Sequence, residues 1–121
     1  MANDYFYAQQ KMTITENIIL EINSEIELPN ALALKKSAII LRAINHKLRQ
    51  QILQFILTKK QVTVTEIFGH LFLEQSVASQ HLAVLRRAGF VKTKREGKFI
   101  WYTINPQRIE DVNQVILTLL K

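Results

Sequence analysis

Gln75, Ser76, Ser79 and Gln80 stand close together on the chain, and their side chains carry the groups that read base edges. A glutamine amide can bridge N6 and N7 of adenine, and a serine hydroxyl can donate or accept. Arg86 and Arg87 follow, within reach of a phosphate backbone. Further on, Arg95-Glu96-Gly97-Lys98 sets two cations beside a glycine turn, suited to phosphates or a minor groove. Each cluster has a plainer account. Ser76 can be only a helix cap, the other three ordinary surface, and the second cluster a solvated turn.

Such side chains act together only if the elements carrying them are placed together. Ser76 can cap a helix to about Ala88, with Ala78, Leu82 and Leu85 on its inner face and Gly89 as its left-handed stop. The polar positions then cluster at its N-terminal end, opposite the apolar ones. Before it, Thr63-Val64-Thr65-Glu66 is a capping box opening a short helix to about Leu71, with Ile67, Phe68 and Leu71 inward. Two short helices joined by a tight turn make a helix-turn-helix. FVKTKR and KFIWYTI then alternate about a turn at Glu96-Gly97, predicting a β-hairpin with Tyr102 inward.

Upstream, Asn30 can cap a helix over 31–44 and Asn45 one over 46–58, with Leu48, Ile52, Phe55 and Ile56 inward. Lys59-Lys60-Gln61 is read as a connection. Asn105-Pro106 starts a last helix to about 120. Thr13 and Glu16 have capping-box spacing, and Ile14, Ile18, Ile22 and Ile26 recur every four residues, predicting a helix at about 13–27. Strand-like alternation in Glu25–Leu28 competes with its end. The expected organisation is a partly mobile extension over 1–30 and a mainly α winged helix-turn-helix domain over 31–121. That domain has a two-stranded wing and added dimerisation helices.

Charge supports a polyanionic partner. The chain of 121 residues has a net charge of +6, unevenly spread. Lys35, Lys36, Arg42, Lys47, Arg49, Lys59 and Lys60 follow one another with no acid between, and residues 75–102 hold six bases against Glu96. Concentrated positive charge suits nucleic acid, although a solvated basic surface gives the same pattern.

Composition excludes more than it selects. With 48% hydrophobic residues, three Gly and two Pro, disorder and turn-rich β-sandwiches are disfavoured. No Cys means no disulfide, thiolate metal site or thiol redox sensing. Apolar runs are too short to span a bilayer and no signal peptide is evident, so a soluble, cytoplasmic protein is expected. No Gly-rich phosphate loop, Cys nucleophile or HExxH is present, so no enzyme is expected. His46, His70 and His81 lie on three different predicted helices, too separated for a ligand cluster, and no metal or cofactor is expected.

QSVASQHLAVLRRAGFVKTKREGKFIWYTIN, residues 75–105, resembles the recognition helix and wing of the ArsR (arsenical-resistance repressor) family of winged-helix regulators. INHKLRQQIL, residues 44–53, resembles a helix opening of the same family. The resemblance covers about 31–120. It implies a homodimeric DNA-binding transcription regulator, usually a repressor released by a signal. It also implies DNA contacts at Gln75, Ser76, Ser79 and Gln80, with the wing at Arg95 and Lys98. VTVTEIFGHL lacks the cysteines that the family's metal sensors carry there, and the last helix has no His, so metal sensing is not expected. Phe72 stands where the turn often has Gly, and Lys47 where Pro is common.

Helices 31–44 and 106–120 are apolar over more than one face, too much for one small core to cover. They are the predicted dimer seam, with Leu34, Leu41, Val112, Ile116 and Leu119 as candidates. A two-fold dimer fits a pseudo-palindromic operator in double-stranded DNA. A winged helix that binds protein, or nucleic acid without sequence preference, is the alternative. The sequence names no target gene and no inducing ligand.

Overall fold

The computed structural model describes the backbone of residues 14–121, and their side chains except those of residues 18 and 20–24. The Thr13 cap lies outside the described residues. The chain divides after Ala33 into two compact units.

In the first unit, α1 (Ile14–Glu25) ends on the first residue of the alternating segment, and residues 26–30 have no regular structure. Ile14, Ile19, Ile26 and Leu28 are exposed. The Asn30 carboxamide oxygen accepts from the Ala33 N–H at 3.0 Å, capping α2 (Ala31–Ile44) as its sequence requires.

The second unit carries the rest of α2, then α3 (Lys47–Lys59), β1 (Gln61–Thr63), α4 (Val64–Leu71), α5 (Gln75–Arg87), β2 (Val91–Glu96), β3 (Phe99–Ile104) and α6 (Pro106–Leu119). The cap of α3 is His46, not Asn45. The Asn45 N–H still bonds back to Leu41 O at 3.0 Å, so α2 claims that residue and the chain turns extended one position later. His46 Nδ1 then accepts from the N–H groups of Leu48 and Arg49, at 3.2 and 3.4 Å.

The sheet has three antiparallel strands in the order β1-β3-β2, one more than the expected hairpin. The segment read as a connection turns at Lys60, φ 74, and enters β1, where Val62 pairs with Tyr102. Val62 is fully buried, which fixes this short strand against the core. In the wing, Glu96 pairs with Phe99, so the two-residue loop is Gly97-Lys98, one position beyond the expected turn. Gly97, φ 61, takes the first loop position, where positive φ is needed.

Ile52, Ile56, Ile67, Leu82, Leu85 and Phe90 form the heart of the core, so α3, α4 and α5 close on one another around Phe90, the residue just before β2. Phe68, Leu71 and Tyr102 pack against it half-buried. By contrast, α2 and α6 each bury little: Ala43 on one and Val112 on the other.

Candidate nucleic-acid interface

The first helix of the helix-turn-helix is set by its capping box. The Glu66 N–H donates to Thr63 Oγ1 at 3.3 Å, and the Thr63 N–H donates to Glu66 Oε1 at 3.4 Å. The helix ends at Phe72 in the left-handed region, φ 54, with its side chain 95% exposed. A side chain here costs about 1–2 kcal/mol that Gly would avoid. The turn keeps its geometry without the glycine.

The recognition helix α5 starts earlier than its sequence suggested. Glu74 is the N-cap, its carbonyl accepting from the Ala78 N–H at 3.1 Å, and no side chain caps the helix. Ser76 is therefore not a cap but a first-turn residue. Its hydroxyl is spared capping and the first-turn N–H groups have no side-chain cap, an arrangement that favours an anion. Ala78, Leu82 and Leu85 are buried, whereas Gln75, Ser76, Ser79 and Gln80 are exposed.

At the far end, the Phe90 N–H donates to Leu85 O at 2.9 Å and the Gly89 N–H to Arg86 O at 3.0 Å, with Gly89 at φ 83. This is a Schellman stop. Ser79, Arg86 and Arg87 meet Tyr102 of the wing around a cleft of about 370 Å³. Tyr102, taken from sequence as a core residue, is thus also part of the candidate surface. Its place in the β1 and β2 registers gives it this position, which local sequence does not encode.

The wing's inner face carries Val91, Thr93 and Arg95 opposite Ile104, Tyr102 and Ile100. Trp101 lies on the other face, opposite Lys94 and Thr63, with its ring 6.5 Å from that of Phe99. At the tip, Arg95 Nε donates to Gly97 O at 3.3 Å, and the Lys98 ammonium sits 5.6 Å from the centre of the Phe99 ring. Both cations are exposed, and the Lys94–Glu96 pair beside them, 3.4 Å apart, is solvated. Solvated pairs contribute little to stability, so the tip's charge is free to act outward.

Two histidines that sequence separation kept apart are neighbours. The His46 and His81 rings lie 4.8 Å apart, because the start of α3 packs on α5. Burial holds His81 below its usual range, helped by His46 and by the Arg49 cation. His46 Nδ1 is engaged as a cap, and among the described residues no group of three or more His, Cys, Asp or Glu is placed to hold a metal. His70 stacks on Phe55 instead, ring centres 4.2 Å apart. Among the described residues no helix is long and apolar enough to cross a membrane.

A short helix, a tight turn, a second helix with an exposed polar start and a basic two-stranded wing define a winged helix-turn-helix. Residues 46–93 match the model of the bacterial regulatory proteins of the arsR family. The chain is 35% identical to the transcriptional activator HlyU of Vibrio cholerae over 67% of its own length and 74% of that protein's. It is 32% identical to the transcriptional repressor PagR of Bacillus anthracis, over 70% and 85%. The crystal structure of PagR superposes with a TM-score of 0.58, covering 72% of this chain and 99% of that one. The chain belongs to the ArsR family. It is a DNA-binding transcriptional regulator, not an enzyme.

Proposed function

We propose that this chain is a sequence-specific, homodimeric repressor that binds a pseudo-palindromic operator and does not sense metal. Residues 31–121 carry both DNA binding and dimerisation. Gln75, Ser76, Ser79 and Gln80 enter the major groove and read bases. Arg86 and Arg87 hold the backbone, and Arg95 and Lys98 of the wing take adjacent phosphates. The observation that carries this reading is the exposed polar start of α5, opposite a face buried through Ala78, Leu82 and Leu85. A surface built to dock protein would expose aromatic side chains there, and this one exposes amides and hydroxyls.

Homodimerisation is supported by the apolar surface left on α2 and α6. Leu34 and Leu119 are 58% and 71% exposed, Ile116 is 37% exposed, and Leu41 is half-buried. Val112 is buried within this chain and serves its own core, leaving the seam to its neighbours. Repression needs only that the dimer occupy its operator, and PagR is named a repressor. Sequencing the genomic fragments that the protein retains tests the proposal. A shared inverted repeat supports it; fragments without a common sequence overturn it.

A further inference from the structure

We propose that a cleft beside the recognition helix binds a small organic anion, a carboxylate or phosphate group on an apolar stem. The cleft, of about 290 Å³, is lined by Arg42 of α2, Arg49 of α3 and Arg87 of α5, with Ile39, Val84 and Ala88 supplying apolar wall. Among the described residues no acidic side chain lines it. Three guanidinium groups around one concavity repel one another unless an anion or solvent lies between them.

Two of the three are held in place. Arg49 Nε donates to Ala43 O at 2.6 Å and its Nη2 to Arg42 O at 3.4 Å. Arg87 Nε donates to Ala83 O at 3.3 Å. A guanidinium anchored through Nε keeps further N–H donors in a fixed plane, the geometry that matches carboxylate and phosphate. The size is close to the lower end of small-molecule pockets, roughly 300–1,000 Å³. It fits a small metabolite and not a macromolecule.

The cleft joins α2 to the last turn of α5, and Arg87 lines it as well as the cleft beneath Tyr102. An anion that engages Arg87 therefore competes with a DNA phosphate for the same cation and weakens operator binding. By linkage, operator weakens the anion by the same factor. This consequence rests on the DNA contacts proposed above. The binding itself does not, so it is tested without DNA.

The probe is phenyl phosphate, titrated into the full chain by calorimetry at constant ionic strength set with chloride. Benzyl alcohol serves as the uncharged control. We expect saturable binding of phenyl phosphate and none of benzyl alcohol. Arg42→Gln should weaken it about tenfold, as loss of a charge-assisted hydrogen bond requires. Arg42 and Arg87 are both exposed, so Arg87→Gln is a second variant, and thermal melting checks that each is folded. No saturable binding to the wild type overturns the proposal, as does binding by both variants as tight as that of the wild type. If Arg42→Gln instead lowers the slope of log K for DNA against log salt by about 0.9, while phenyl phosphate fails to bind, the cleft seats a DNA phosphate and the free-anion site is wrong.

Discussion

The Asn105 side-chain amide donates to the carbonyl oxygen of Gly89 at 2.8 Å, tying the residue before α6 to the residue that stops the recognition helix. The Asn105 N–H adds a bond to Phe90 O at 2.9 Å. Arg108, in the first turn of α6, lies over the same glycine, its Nε 2.9 Å from where a Cβ would sit. The end of the recognition helix is thus gripped by the start of a helix proposed to form the dimer seam.

Gly89→Ala should accordingly carry two separable penalties. The left-handed backbone costs about 1–2 kcal/mol for any residue with a Cβ. Pushing Arg108 aside adds a smaller second penalty, because the Cβ would meet the end of a flexible side chain whose buried Nε has no hydrogen bond to lose. In urea unfolding, Gly89→Ala should be destabilised. In an Arg108→Ala background the same change should cost less, but not nothing. Equal costs in the two backgrounds would show that Arg108 does not press on Gly89.

Stability should fall in mild acid through His81. Its folded-state pKa is lowered from 6.5, first by burial and then by His46 and Arg49. Below 6.5 the unfolded chain takes up a proton that the folded chain resists, so unfolding is favoured as pH falls through 6.5 toward the lowered value. Urea midpoints measured from pH 7.5 down to 5.5 should decline in the wild type. They should decline less in His81→Gln. Parallel profiles would mean His81 contributes no linkage.

The elements were legible where their determinants are local. The Thr63–Glu66 capping box, the Gly89 stop and the i, i+4, i+7 spacing of Ala78, Leu82 and Leu85 all lie within a few residues of what they fix. The polar start of α5 followed from the same spacing. Features made by distant segments were not legible. β1 exists because Val62 meets Tyr102, and nothing near Val62 in sequence announces that partner. The caps shifted at His46 and Glu74 because each depends on where the neighbouring backbone bonds fall, which capping propensity alone does not determine. The approach of His46 to His81 and the gathering of Arg42, Arg49 and Arg87 likewise arise only when α2, α3 and α5 pack.

If the wing takes phosphates, Arg95→Gln and Lys98→Gln should weaken all DNA sequences alike. Each should lower the slope of log K against log salt by about 0.9 per lost contact. Fluorescence anisotropy across a salt series measures this. An unchanged slope in the double variant would place the wing off the backbone.

Charging the proposed seam with Ile116→Glu should dissociate the dimer, because an unpaired carboxylate buried there is strongly disfavoured. Sedimentation equilibrium should give a dimer for the wild type and a lower mass for the variant. Operator affinity should fall with it, since each half-site alone has few contacts. A wild-type monomer at micromolar concentration that still binds operator tightly would rule out the dimer.

Base reading by α5 is tested most directly by titrating the wild type and Gln80→Ala against operator and scrambled duplexes at one stated salt concentration. Specific binders typically prefer their sites by about 10³-fold or more. We expect that preference in the wild type, and in Gln80→Ala a loss of about 1–3 kcal/mol confined to operator, with relaxed sequence preference. Equal wild-type affinity for both duplexes would contradict sequence-specific recognition. So would an equal loss on both in the variant.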